Sequence, residues 1–143
     1  MKLSTRGKYG VYAMIYLAQH QGEGPQSLKA IAELGLPDQY LEQLLGNLRR
    51  AGLVTTVRGA QGGYQLSRSA DAITARHIIE AMEGPLNLSE CVGEAGHTCP
   101  RGGQCTARGV WSYLTDEINQ LLNGITLSDM LKNDMKDIKG EKQ

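Results

Sequence analysis

The first part of the chain shows short stretches of helical periodicity separated by glycine and proline. Residues 8–20 read KYGVYAMIYLAQH, and the apolar side chains of this stretch recur every three or four positions. This spacing predicts an α-helix with one buried face, and Ser4 and Thr5 are its candidate N-caps. The residues expected on the buried face are Tyr9, Tyr12, Ala13, Tyr16 and Leu17.

Two more helices are predicted next, separated by the helix-breaking sequence GLP. Residues 27–34 (SLKAIAEL) begin with Ser27, a good N-cap. Residues 38–52 (DQYLEQLLGNLRRAG) begin with Asp38 as the expected N-cap and end at Gly52, which favours a left-handed stop. The apolar stripe of this third helix consists of Leu41, Leu44, Leu45 and Leu48.

After Gly52 the pattern changes from helical periodicity to alternation. LVTTV and YQLS alternate apolar and polar positions, and the glycine-rich sequence RGAQGG separates them. This pattern predicts a β-hairpin. Two helices joined by a tight turn and followed by such a hairpin form a winged helix-turn-helix. The predicted fold class is therefore mainly α with a small β-hairpin.

The second half of the chain returns to helical periodicity. Residues 71–83 predict a helix capped by Thr74, and Thr126 with Asp129 predicts a capping box for a last short helix. Residues 107–124 predict a long helix with an apolar stripe at Val110, Trp111, Leu114, Ile118, Leu121 and Leu122. Pairing with the same helix of a second copy would bury this stripe. Packing within one subunit is the alternative.

These elements suggest an organisation in four parts. A winged helix-turn-helix DNA-binding domain would occupy residues 1–84, and a cysteine-containing loop residues 85–106. The dimerisation helix and the short terminal helix would occupy residues 107–132, and residues 133–143 would form a flexible tail, because they are polar and terminal.

The composition is that of a folded protein, with 41% hydrophobic and 21% charged residues among 143. No apolar run approaches the roughly 20 residues of a membrane span, and the N-terminal sequence lacks the apolar stretch of a secretory signal. We therefore expect a cytoplasmic protein without a membrane partner. Three cysteines, an odd number, fit a disulfide framework poorly.

Charge is unevenly distributed although the formal net charge is zero. Residues 1–68 contain eight Lys and Arg and four acidic residues, whereas residues 69–143 contain seven basic and eleven acidic residues. A basic first half predicts contact with a polyanion such as DNA. Chance is the alternative explanation for so small an imbalance.

Five stretches of the chain resemble a family of bacterial winged-helix repressors. They are MKLSTRGKYGVYAMIYLA, SLKAIAE, QYLEQLLGNLRRAGLV, VRGAQGGYQLSR and ITARHIIEAMEGP, and the resemblance extends over residues 1–131. The family includes an iron–sulfur cluster regulator, a nitric-oxide-sensing repressor and a cysteine-metabolism repressor. The resemblance implies a two-fold homodimer on a roughly palindromic double-stranded DNA operator, with residues 38–51 as recognition helix in the major groove and the hairpin as a wing in the minor groove.

On this family model the DNA contacts divide into two groups. The candidates for base edges near the start of the recognition helix are Gln39, Tyr40, Glu42 and Gln43. The candidates for phosphates are Arg49, Arg50 and Arg58, and either Arg58 or Gln61 would enter the minor groove. The acidic Glu42 is favourable there only opposite a cytosine amino group. The wing glycines Gly59, Gly62 and Gly63 would allow the backbone to approach DNA closely.

The sequence CVGEAGHTCPRGGQC (91–105) contains all three cysteines, with the spacing C-x₇-C-x₅-C. Structural zinc sites favour the shorter C-x₂₋₄-C, whereas thiolate ligands of an iron–sulfur cluster can come from an extended loop. We therefore expect an iron–sulfur cluster held by Cys91, Cys99 and Cys105, and the resemblance to the family's cluster regulator implies the [2Fe–2S] type. Zinc or another metal, thiol redox chemistry, and cysteines without a function are the alternatives.

Three thiolates leave a fourth ligand to be found. The resemblance implies a histidine three residues beyond the third cysteine, but this position is Arg108. The aspartate that the nitric-oxide sensor takes from its partner's first helix corresponds to Lys8. His97, inside the loop, is the candidate ligand. Glu90, Glu94, water or the partner subunit are the alternatives.

The sequence therefore predicts a dimeric transcription regulator that senses iron–sulfur cluster status, with iron–sulfur assembly proteins as candidate further partners. A cysteine-metabolism repressor controlled by a partner enzyme or by thiol oxidation is the first alternative. A small iron–sulfur electron-transfer protein is the second. No constellation of acid, base or nucleophile predicts an enzyme.

Overall fold

The computed structural model describes residues 3–92 and 105–132. Within these ranges the chain forms α-helices and one antiparallel hairpin, with short 3₁₀ turns at Ala70–Ala72 and Glu90–Val92. The helices and strands are α1 (Thr5–Gln19), α2 (Leu28–Ala32), α3 (Asp38–Arg50), β1 (Val54–Val57), β2 (Gly63–Leu66), α4 (Ala75–Glu83), α5 (Thr106–Asn123) and α6 (Leu127–Leu131). The arrangement confirms the predicted fold class, a mainly helical chain with a small hairpin.

The hydrophobic core lies where α1, α3, α4 and α6 pack together. The predicted leucine stripe of α3 is confirmed, since its four leucines are at most 1% exposed. Ile78 and Met82 contribute the inner face of α4, and Leu127 of α6 is fully buried in the same core. The chain therefore returns to the N-terminal helices after α5.

Close packing of α1 against α4 depends on two glycines of α1. A Cβ atom on Gly10 would lie 2.6 Å from Cγ of Met82, and one on Gly7 would lie 2.9 Å from Oε1 of Glu83. The predicted buried face of α1 was wrong at Tyr12, which is 52% exposed. Helix α1 turns its small residues towards α4 because they allow the two backbones to approach.

Most predicted caps are confirmed, with one exception. The side chains of Ser4, Ser27 and Thr74 each accept a hydrogen bond from a backbone N–H of the first turn. The prediction for Asp38 was wrong, because the first helical bond of α3 runs from the N–H of Leu41 to the carbonyl of Pro37. Asp38 is thus the first helical residue, where a carboxylate is favoured by the helix dipole.

The hairpin gains a third extended segment from the residues before α2. Between β1 and β2, Val54 is opposite Leu66 and Val57 is opposite Gly63. Gln26 pairs with Tyr64 through two backbone hydrogen bonds of 2.8 Å. These bonds attach the wing to the helix-turn-helix.

Two of the wing glycines are required by packing inside the protein. A Cβ on Gly63 would lie 2.2 Å from the carbonyl oxygen of Gln26, and one on Gly62 would lie 2.0 Å from that of Val57. Gly59 differs, since it has a φ of +114° and a Cβ there would meet open space. Of the three glycines that we expected to face DNA, Gly59 is the one without such an internal contact.

Helix α5 is long and mostly exposed. Thr115 is its buried residue, at 4% exposure. In the part of the chain that the structure describes, neither this helix nor any other has the length and apolar character needed to cross a membrane.

Candidate nucleic-acid interface

Helix α3 presents a continuous polar face opposite its leucine stripe. Gln39, Glu42 and Gln43 are exposed in its first two turns, and Arg49 and Arg50 are exposed in its last turn. Glu42 and Gln43 follow Gln39 by three and four residues, and Arg49 and Arg50 follow them by seven, so these positions lie on the same side of the helix. The buried leucines fix the orientation of this face, and its polar side chains are exposed to solvent.

Tyr40 differs from the other candidates for base contact. Its ring is half-buried and packs edge-on against Tyr9 of α1, with centroids 5.7 Å apart and planes at 78°. An edge-to-face pair of this kind stabilises the junction of the two helices. Tyr40 therefore lies at the border between the core and the exposed face of α3.

Arg50, the second of the two arginines at the end of α3, contacts the preceding turn of the helix. Arg50 donates a hydrogen bond from Nη2 to Oδ1 of Asn47, one turn earlier. A Cβ on Gly46 would lie 3.6 Å from Nη1 of Arg50. The Arg50 side chain thus lies back along the helix surface, at the edge of the polar face.

The wing places two further polar side chains at its tip. Arg58 follows β1 directly, and Gln61 lies in the turn; both are exposed. The turn is closed by a hydrogen bond of 3.0 Å from the N–H of Gly62 to the carbonyl of Gly59. The structure thus presents two exposed polar surfaces, the face of α3 and the tip of the wing.

Gln26 fixes the position of the wing, a role that the sequence pattern did not predict. Besides its backbone pairing with Tyr64, its side-chain Oε1 accepts a hydrogen bond of 3.4 Å from the hydroxyl of Tyr16. It lies in a segment with glycine and proline, which predicts only a loop. Pairing with a strand that begins 37 residues later leaves no local signal in the sequence.

The structure describes the two ends of the cysteine loop. Cys91 is half-buried in a 3₁₀ turn, with Sγ 3.3 Å from Oγ of Ser89. Cys105 is half-buried at the N-cap position of α5. Cys99 and His97 lie outside the described residues, and within the described ranges no three His, Cys, Asp or Glu side chains form a metal-binding group.

The donor types at these ends fit an iron–sulfur cluster in part. Cys105 lies at the N-terminus of a long helix, where the helix dipole favours negative charge. Arg108 lies exposed in the first turn of α5, and its backbone N–H donates a hydrogen bond of 3.2 Å to the carbonyl of Cys105. A guanidinium does not ligate iron, so this position supplies no fourth ligand.

Side chains of α5 hold the first part of the cysteine loop, before Cys91. Oγ1 of the buried Thr115 accepts a hydrogen bond of 3.2 Å from the N–H of Leu88. Nδ2 of Asn119 donates one of 3.3 Å to the carbonyl of Leu86. These two bonds connect the segment before Cys91 to the middle of the long helix.

The rest of α5 carries an apolar surface that the described residues, 3–92 and 105–132, leave uncovered. Its exposed large side chains are Val110, Trp111, Tyr113, Leu114 and Leu121, at 39–66% exposure. Ile118 and Leu122 of the predicted stripe are half-buried. Exposed apolar side chains grouped on one helix indicate a surface for association.

Comparison with known proteins identifies related regulators over nearly the whole chain. The model of the Rrf2 family, described as an iron-dependent transcriptional regulator, matches residues 3–133. The HTH-type regulator CymR of Bacillus subtilis is 44% identical over 131 residues, covering 91% of this chain and 89% of CymR. The HTH-type regulator IscR of Erwinia tasmaniensis is 40% identical over 134 residues, covering 93% of this chain and 80% of IscR.

Solved structures of related proteins share the fold. The structure of B. subtilis CymR, described as the global cysteine regulator, has a TM-score of 0.76 and 42% identity, with coverage of 94% of this chain and 98% of CymR. The structure of T. potens IscR has a TM-score of 0.73 and 47% identity, covering 93% and 88% of the two chains. Relatives named CymR and relatives named IscR are thus about equally similar to this chain.

Proposed function

The chain belongs to the Rrf2 family of transcriptional regulators, and on this premise we propose that it acts as a homodimer on a roughly palindromic operator. Helix α3 enters the major groove, and the wing reaches the adjacent minor groove. The observation that carries this proposal is the exposed polar face of α3, held by a fully buried leucine stripe beside a wing tipped by Arg58.

The side chains of this surface have complementary roles in the proposed complex. Gln39 and Gln43 offer the donor and acceptor pair that reads adenine, and Glu42 accepts from a cytosine amino group. The exposed part of Tyr40 completes this group. Arg49, Arg50 and Arg58 neutralise phosphates, and Arg58 or Gln61 enters the minor groove.

Helix α5 provides the dimer contact in this proposal. Its exposed apolar side chains would be covered by the same helix of a second copy, as expected for a two-fold interface. A dimer would present two recognition helices to two half-sites, spaced by about one turn of DNA.

The cysteine loop provides the sensing site in this proposal. Cys91, Cys99 and Cys105 would hold a [2Fe–2S] cluster, with His97 as fourth ligand. The fraction of protein that carries the cluster would depend on the supply of iron and sulfide and on oxidation, and this dependence would make the cluster a sensor. The bonds from Thr115 and Asn119 to the segment before Cys91 support coupling of the loop to α5.

A second candidate function is a cysteine-metabolism regulator that responds through thiol oxidation or a partner enzyme. The observation that favours it is Arg108 at the position where the family's cluster regulator has a histidine. The similarity to CymR, at 44% identity, is compatible with it.

DNA binding is tested by selection from a random duplex library with the wild-type protein, followed by titration of the selected duplex by fluorescence anisotropy. We expect a palindromic sequence and an affinity that falls steeply with salt. A selected pool that stays random would overturn operator binding.

Cluster binding is tested by purification without oxygen and analysis of iron and acid-labile sulfide per chain. We expect about two of each, the stoichiometry of a [2Fe–2S] cluster, and a changed visible spectrum in His97→Ala. A His20→Ala variant is the matched control, because its histidine directly follows α1 and lies outside the cysteine loop. Protein without iron after reconstitution would favour the thiol or partner-enzyme alternative.

A further inference from the structure

The wing is joined to the end of the recognition helix by two neighbouring side chains at the end of β2. Oγ of Ser67 donates a hydrogen bond of 2.6 Å to the carbonyl of Gly52, and Nη1 of Arg68 lies 3.5 Å from the same oxygen. The N–H of Ser67 donates to the carbonyl of Leu53 at 3.0 Å. Gly52 follows α3 with a φ of +79°, so this carbonyl marks the point where the chain leaves the recognition helix.

Arg68 also forms hydrogen bonds with two other parts of the domain. Its Nε donates a hydrogen bond of 3.1 Å to the carbonyl of Ala72, in the 3₁₀ turn before α4. Its own carbonyl accepts one of 3.1 Å from Nε2 of Gln21, which follows α1. Arg68 therefore connects the wing to the segments that follow α1 and α3 and precede α4.

The acceptors explain why an arginine suits this position. Two carbonyl oxygens at separate points are reached by donors on separate nitrogen atoms, which a guanidinium holds in one plane. An ammonium has three N–H donors, but all on one nitrogen. The carbonyl of Gly52 lies just beyond the C-terminus of α3, where the helix dipole favours a cation. Within the described ranges Arg68 makes no ion pair with a carboxylate.

We propose that Arg68 is a positioning residue that fixes the angle between the wing and the recognition helix, and that it does not contact phosphate. The inference rests on the proposed function, because it assumes that both elements bind the same operator. Arg68 belongs to the excess of basic residues in the first half of the chain, from which charge alone predicts a phosphate contact. Its hydrogen bonds within the protein indicate the positioning role instead.

The test compares Arg68→Lys with Arg68→Gln, using the duplex selected by the wild-type protein and a scrambled duplex of equal length. We expect both variants to bind the selected duplex about tenfold more weakly, the effect of removing one positioning hydrogen bond. Arg68→Lys should bind the scrambled duplex as the wild type does and keep its salt dependence, because the charge is retained.

Arg58 at the wing tip provides the matched control with the opposite pattern. Arg58→Lys should retain most of the affinity, whereas Arg58→Gln should reduce the slope of log affinity against log salt by about 0.9 for each phosphate that the protein no longer neutralises. The same pattern at Arg68 would overturn the inference, as would wild-type binding by both Arg68 variants. An equal decrease in affinity for both duplexes would also overturn it, because it would indicate a general loss of folded protein.

A second measurement needs no DNA. Amide hydrogen exchange at Ser67, whose N–H bonds to Leu53, should be faster in Arg68→Lys, while exchange in α1 is unchanged. Unchanged exchange at Ser67 would overturn the inference. If the wild-type protein selects no duplex, operator binding fails and the inference fails with it; if it does and Arg68 has no effect, the inference alone fails.

Discussion

Single side chains on the polar face of α3 determine which base sequence the protein prefers in this account. Glu42 is the most informative of them, because it carries a negative charge on a surface proposed to meet phosphates. A carboxylate accepts hydrogen bonds and cannot donate, so its favourable partner is the amino group of cytosine.

Replacing Glu42 by Gln tests this role. We expect stronger binding to scrambled DNA, because a repulsive charge is removed, and loss of the cytosine preference at one position of each half-site. The discrimination against other bases should fall by about 1–3 kcal/mol. Selection and anisotropy titration measure both effects, with the exposed Glu117→Gln of α5 as control. An unchanged selected sequence would show that Glu42 does not read a base.

At the scale of the element, the sequence predicted what is encoded locally. The leucine spacing of α3 and the caps at Ser27 and Thr74 depend on neighbouring residues, and all three were predicted correctly. Tyr12 was misplaced because the buried face of α1 is set by its distance from α4. Gly63 pairs with Gln26, and this contact likewise depends on the tertiary fold.

The contact between α1 and α4 gives a prediction for stability. Gly10→Ala should lower the free energy of unfolding by about 1–3 kcal/mol, because the added methyl group overlaps the buried Met82. Gly46→Ala is the matched control, since its methyl group makes an ordinary contact and should raise stability by up to about 1 kcal/mol through helix propensity. Denaturant unfolding measures both changes. An equal gain in the two variants would contradict the close packing.

The capping box of α4 gives a second prediction for stability. His77 lies at its third position and accepts a hydrogen bond of 3.0 Å at Nδ1 from the N–H of Thr74. Glutamate performs this role well and adds a negative charge at the positive end of the helix. His77→Glu should therefore stabilise the protein by about 0.5–1 kcal/mol in thermal unfolding, and His77→Ala should destabilise it. A lower stability in both variants would contradict this account of the cap.

At the scale of the whole molecule, the exposed apolar side chains of α5 are proposed to join two copies. Leu121 is 66% exposed, so changing it to glutamate should leave each subunit folded and weaken the dimer. Burying a charge against a second copy is costly, and we expect the dimer to dissociate at least about tenfold more readily. Analytical ultracentrifugation measures this, with the exposed Gln120→Glu as control. A wild-type protein that is monomeric at micromolar concentration would contradict the proposal.

The cysteine loop shows the limit of sequence reasoning at this scale. The spacing of the three cysteines predicts the donor atoms, because each thiolate belongs to the loop itself. The fourth ligand depends on how the loop folds and on which groups of either subunit approach it. Arg108 removes the position that the family resemblance implies, and the choice of His97 in its place rests only on the position of this histidine inside the loop.

We propose that the state of the cysteine loop controls operator binding by the dimer. The most direct test is a titration of the selected duplex with cluster-loaded protein prepared without oxygen and with a variant in which Cys91, Cys99 and Cys105 are replaced by alanine. We predict that the two affinities differ by at least about fivefold, the lower range of allosteric coupling. Equal affinities for the same selected sequence would contradict the claim.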